Sequence, residues 1–131
     1  MDMEIIKLDH LVLTVRDVEK TVSFYETVMG MKKEVFGNGR VALKCGDQKI
    51  NLHESGKEFD PKAHKPPPGS ADLCFITPTP LNDALAQVKH GNVVIIEGPV
   101  ERPGANGPIR SFNFMVPDDN VSEVARDIWA T

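Results

Sequence analysis

The sequence predicts an α+β fold in which two βαβββ modules form a curved mixed sheet around a cleft. Three observations predict it. Strand-like alternation followed by a helical stripe occurs near residue 10 and again near residue 72, the two occurrences keep a near-constant offset, and a proline-rich segment separates them. A chain of 131 residues is the size of one domain assembled from two similar halves. The expected limits are one domain spanning 1–131, with module one at 5–54, a linker at 55–70 and module two at 71–128.

The run Ile5 to Val15 alternates with period two, so Leu11, Leu13 and Val15 share one face while His10, Val12 and Thr14 share the other. Asp17 is placed to cap a helix whose stripe is Val18, Val22, Tyr25 and Met29, and Gly30 supplies its left-handed stop. Lys33 to Phe36, the turn Gly37-Asn38-Gly39, Arg40 to Lys44, the turn Gly46-Asp47 and Gln48 to Glu54 complete the first unit as three strands. Residues 55 to 70 hold four prolines and two glycines, which suits a connecting loop better than another element.

The pattern then restarts. Asp72 to Thr77 is a strand, Pro78 and Pro80 open a helix with the stripe Leu81, Leu85 and Val88, and Gly91 closes it. Val93 to Glu97 is a strand, Gly98 to Pro108 a Pro/Gly-rich loop, and Ile109 to Val116 a further strand. Val121 to Ile128 suits either helix or strand by periodicity, and the repeat demands a strand. His10 and Asp72 stand 62 positions apart, as do Val18 and Pro80, while Gly30 and Gly91 stand 61 apart. Asp47-Gln48-Lys49-Ile50-Asn51 aligns with Asp119-Asn120-Val121-Ser122-Glu123, so Glu123 takes in the second unit the place of Asn51 in the first.

Composition narrows the function classes. Fifteen Lys and Arg against nineteen Asp and Glu give a net charge of −4, so no global positive field draws nucleic acid or an anionic membrane. The acidic start Met1-Asp2-Met3-Glu4 and the absence of a long apolar run predict a cytoplasmic protein. Cys45 and Cys74 lack the close spacing of a zinc knuckle or redox motif and read as reduced thiols.

Alternation puts His10 on the side of its strand that no helix covers, with Asp72 and Cys74, Asn51 and His53, and Glu123 and Ala125 on the corresponding sides of theirs. The expected cleft floor collects His10, Asp72, Glu123 and one of Asn51 or His53. One or two imidazoles among carboxylates repel or stay protonated unless a cation neutralises them, which points to a divalent metal ion with open water positions: Mn, Ni, Co, Fe or Zn. Asn51 is a candidate substrate-binding residue. Arg102 and Arg110 bracket the flexible Gly104-Ala105-Asn106-Gly107 and are candidates for an anionic substrate, and His64 in the linker could reach a neighbouring cleft.

Leu8-Asp9-His10-Leu11-Val12-Leu13, the stretch from Phe24-Tyr25 to Gly30-Met31, and Pro117-Asp118-Asp119-Asn120-Val121-Ser122-Glu123-Val124 resemble the signatures of the vicinal oxygen chelate superfamily. That group holds glyoxalase I, fosfomycin-resistance enzymes, bleomycin-resistance proteins and extradiol dioxygenases. The segments 46–54, 61–64 and 68–73 are similar to its glyoxalase domain-containing protein 5-like branch, some bacterial members of which are called virulence proteins. The resemblance implies the glyoxalase/bleomycin resistance/dihydroxybiphenyl dioxygenase fold, a homodimer, and a metal chelated by two neighbouring oxygens of a small substrate. His10 matches the first-strand ligand and Glu123 the last-strand glutamate. Asp72 stands where many relatives have histidine, and Asn51 where glyoxalase I has a carboxylate or glutamine.

The expected activity is therefore that of a metal-dependent glyoxalase-type lyase or isomerase. The metal would stabilise an enediolate-like oxyanion while Glu123, as the catalytic group, moves a proton between adjacent carbons. The ligand set for that metal is His10, Asp72, Glu123 and His53. The alternative is a non-catalytic, bleomycin-resistance-like binder of a small molecule. With aromatic residues at 6% and the single tryptophan, Trp129, near the end, few stacking platforms support it.

Overall fold

The computed structural model of the chain describes residues 3–60 and 62–128, so Trp129 lies outside the described residues. Strand β1 (His10–Val15) begins five residues later than the alternation suggests, because the preceding stretch has no strand partner and lies exposed. Helix α1 (Val18–Met29) starts where Asp17 Oδ1 accepts the Lys20 amide at 3.0 Å and stops at Gly30, whose φ of 69° is left-handed. Strands β2 (Lys32–Phe36), β3 (Arg40–Cys45) and β4 (Gln48–Glu54) follow through two tight turns.

The second unit repeats the order with β5 (Asp72–Ile76), α2 (Leu81–His90), β6 (Ile95–Pro103), β7 (Pro108–Val116), a short 3-10 turn (Pro117–Asp119) and β8 (Asn120–Asp127). The last segment is a strand, as the repeat requires. The expected loop over 98–108 is mostly strand: β6 runs on to Pro103 because register shifts between Ile95 and Val100 let it keep pairing with β7 past Gly98-Pro99. A glycine-proline pair thus marks a bulge here and not the end of the element.

The strands form two four-stranded mixed sheets, β1-β4-β3-β2 (sheet one) and β5-β8-β7-β6 (sheet two). In each, the first strand runs parallel to the fourth and the other pairs are antiparallel. One face of each sheet turns towards the helices and feeds a common core, with Leu13, Val15, Leu43, Ile50 and Leu52 from sheet one and Phe112, Phe114 and Val124 from sheet two. Helix α1 adds Val22, Tyr25 and Val28, and α2 adds Leu81 and Val88. Burying each phenylalanine fully stabilises by about 1.5–3 kcal/mol. Gln87 Nε2 donating to the Val28 carbonyl at 3.0 Å, and the Arg16 amide donating to Asp118 Oδ2 at 3.0 Å, fasten one unit to the other. The opposite face of each sheet carries no helix, and the side chains with chemistry are on those two faces.

Candidate functional site

Strand pairing sets the helix-free faces out in rows. On sheet one, Val12, Asn51, Ala42 and Glu34 lie side by side across the four strands, and the next row is His10, Lys49, Lys44 and Lys32. On sheet two the matching row is Cys74, Glu123, Asn113 and Glu97, with Asp72, Val121 and Met115 beside it. Asn51 and Glu123 therefore occupy equivalent places, as do His10 and Asp72. Alternation along each strand was enough to assign these faces.

His10 is exposed, and its Nδ1 lies 2.8 Å from Asp9 Oδ2. Asp72 is also exposed. Glu123 is enclosed, its side chain 14% exposed. The Ser111 hydroxyl donates to Glu123 Oε2, and Arg102 Nε stands 3.8 Å from the same oxygen. The Arg102 guanidinium is held in turn by Glu97 at 2.9 Å. Burial and the Glu123 and Asp72 carboxylates push the Cys74 thiol up to about 11, so at neutral pH it is a protonated thiol and a poor nucleophile.

Asn51 and His53 are 5% and 2% exposed. Asn51 Oδ1 and His53 Nδ1 are buried without a hydrogen-bond partner, as is Asn113 Oδ1 on sheet two. His53 Nε2 faces Arg40 Nη2 at 3.5 Å, and Phe59 of the linker packs edge-on to the imidazole with ring centres 5.6 Å apart. Burial first, and then the Arg40 charge, hold the imidazole below its ordinary value.

Of the remaining sequence candidates, Arg102 joins Glu123. Arg110 lies on the opposite face of β7 from Ser111 and Asn113, paired across to Arg126, and so is apart from this group. His64 is exposed in the linker. Ser111 and Arg40 were missing from the sequence candidates. Ser111 could have been found from parity, since it shares a face of its strand with Asn113, directly opposite Glu123. For Arg40 the sequence offers only its place after the Gly37-Asn38-Gly39 turn.

The metal-ligand candidates are shared between two faces. Among the described residues no three His, Cys, Asp or Glu side chains come together as a metal cluster. The donor chemistry, one imidazole and two carboxylates, suits a divalent ion, but His10 belongs to sheet one and Asp72 and Glu123 to sheet two. His53 presents Nε2 to a guanidinium, which leaves only its buried Nδ1 for any other partner.

Two mixed sheets built from paired βαβββ units are the architecture of a known superfamily, and the sequence comparisons identify it. The chain belongs to the Glyoxalase/Bleomycin resistance protein/Dioxygenase superfamily, which it matches over residues 7–123. It is 50% identical over 126 residues to the virulence protein STM3117 of Salmonella typhimurium, covering 96% of this chain and 88% of that protein. The crystal structure of that protein superposes with a TM-score of 0.94, covering 96% of this chain and all of the other (100%). The integron cassette protein VCH_CASS1 from V. cholerae is 56% identical with a TM-score of 0.94, covering 96% of this chain and 98% of its own. The glyoxalase domain-containing protein RDO1 of Mycosarcoma maydis is 50% identical over 118 residues, covering 90% of this chain and 66% of that protein.

Proposed function

We propose that the chain is a metal-dependent lyase or isomerase of the glyoxalase type, acting on a small oxygenated substrate as a homodimer in the cytoplasm. In this reading the site is shared. His10 of one copy meets Asp72 and Glu123 of the other, with a divalent ion between them, and Asn51 and Arg102 line the cup for substrate. The observation that carries it is the division of the donor set between two helix-free faces of opposite character. Sheet one presents Lys32, Lys44 and Lys49 in one row, and sheet two presents Asp72, Glu97 and Glu123. Such faces attract each other when two copies meet. Exposed Val12 on the first face, exposed Ile76 on the second and the exposed Ile5, Ile6 and Leu8 ahead of β1 give the contact apolar surface to bury.

When bound, the ion supplies Lewis-acid polarisation of a substrate oxygen. The chain's own residues do the rest. Ser111 and Arg102 hold the Glu123 carboxylate through Oε2, and Glu123 is the group that takes a proton from one carbon and returns it to the next. The Arg102 guanidinium so close to Glu123 also favours a second reading, a metal-free binder in which the arginine alone balances the carboxylate.

Metal analysis separates the two. The enzyme reading predicts about one ion per chain after loading with Mn, Ni, Co, Fe or Zn, a light-scattering mass twice that of the chain, and loss of the ion in both His10→Ala and Glu123→Ala. No uptake of any of these ions overturns it in favour of the binder, and full metal content in both variants overturns the assignment of His10 and Glu123 as ligands.

A further inference from the structure

The part of sheet one around Asn51 and His53 has polar groups that the metal reading leaves unused. Arginine donates hydrogen bonds and cannot accept them, so the 3.5 Å approach of Arg40 Nη2 makes His53 Nε2 the acceptor and puts the ring proton on Nδ1. His53 Nδ1–H is then a buried donor without a partner, two residues along the same strand face from Asn51 Oδ1, a buried acceptor without a partner. Leaving such groups unpaired costs about 1–3 kcal/mol each. A hydroxyl accepts one hydrogen bond and donates another, which matches the two needs.

Beside them the Arg40 guanidinium lies between two aromatic rings, 5.1 Å from the centre of Phe36 and 4.7 Å from that of Phe59. Stacking of this kind fixes the plane of the guanidinium and leaves its N–H edges to bind an anion. Among the described residues no carboxylate forms an ion pair with it, whereas Arg16 pairs with Asp118 and Arg102 with both Glu97 and Glu123. Lys49, with Nζ 3.8 Å from the Phe36 ring centre, adds a second cation on the same face.

We propose that this end of sheet one is a substrate-orienting subsite for a small hydroxy-acid anion: Asn51 and His53 hold the hydroxyl and Arg40, with Lys49, the carboxylate. It rests on the reading of the helix-free faces as one substrate cup and names the class of compound that the cup takes. It also makes His53 a ligand-binding group.

The test uses lactate as probe on the full-length, chelator-treated protein, with the His53 ring nitrogens followed by NMR. Saturable lactate binding should move the His53 signals. Propanoate, which lacks the hydroxyl, and lactamide, which lacks the charge, should bind roughly tenfold or more weakly. Arg40→Gln should weaken lactate by a similar factor, and Arg40→Lys by less. Equal affinity for lactate and propanoate, an unchanged lactate constant in Arg40→Gln, or no saturable shift overturns the proposal. Metal uptake by the same preparations keeps the two readings apart. Uptake without a lactate response defeats the subsite alone, and a lactate response without uptake defeats the metal reading alone.

Discussion

Replacing Gly98 by alanine tests how the second sheet supports Glu123. Gly98 sits in β6 with φ at +106°, a conformation L side chains rarely adopt, and a Cβ there would stand 2.5 Å from the Ser111 carbonyl oxygen and 2.7 Å from the Phe112 Cα. Both neighbours are backbone atoms of a central strand and cannot swing away. Backbone strain of about 1–2 kcal/mol adds to overpacking of about 2–3 kcal/mol, giving roughly 3–5 kcal/mol in all. For a chain of this length, unfolding entropy of about 0.28 kcal/mol per kelvin converts that to a fall of about 11–18 K in Tm. Because Ser111 bears the hydroxyl bonded to Glu123, metal uptake should fall as well. Differential scanning calorimetry of Gly98→Ala beside Gly46→Ala is the assay. Gly46 has φ at +58° and open space around its Cβ position, so only about 1 kcal/mol is expected there. Equal Tm values for the two variants would refute the packing argument.

Acid should weaken the fold partly through His53. Its folded-state value lies below the ordinary one, so the unfolded chain takes up a proton near pH 6.5 that the folded chain refuses until the solution is more acid. Stability contributed by neutral His53 is present above that pH and is lost as pH falls through the window below it. Between about pH 7.5 and pH 5.5 the urea midpoint should therefore drop further in the wild type than in His53→Gln, and parallel drops would contradict this. Cys74 should resist alkylation at neutral pH, its rate with iodoacetamide rising about tenfold per pH unit towards about 11. A plateau near pH 8 would show that neither burial nor the neighbouring carboxylates raise the thiol.

Much of this fold was legible from alternation and punctuation. Asp17, Gly30 and the turns at 37–39 and 46–47 each fixed a boundary through local chemistry, and the 62-residue offset placed the second unit on the first. The same period-two reasoning assigned the faces of His10, Asp72, Asn51 and Glu123. Where sequence reasoning fell short, the cause was not local. Gly98-Pro99 reads as a break, but pairing with β7 carries β6 past it, since a bulge depends on the partner strand. Arg40 gains its importance from Phe36 on a neighbouring strand and Phe59 in the linker, contacts that no spacing rule announces. Parity places His10 and Glu123 on helix-free faces, but it does not determine which two faces meet.

Subunit mixing tests that last point directly. His10→Ala and Glu123→Ala proteins, each unable to hold the ion, are combined in equal amounts and allowed to exchange subunits before bound metal is measured. If each site takes its imidazole from one copy and its carboxylates from the other, half of the dimers are mixed and each has one intact site, so about one quarter of the wild-type metal returns. If every site draws both ligands from a single chain, each still lacks one of them, and the mixture stays as empty as its parents.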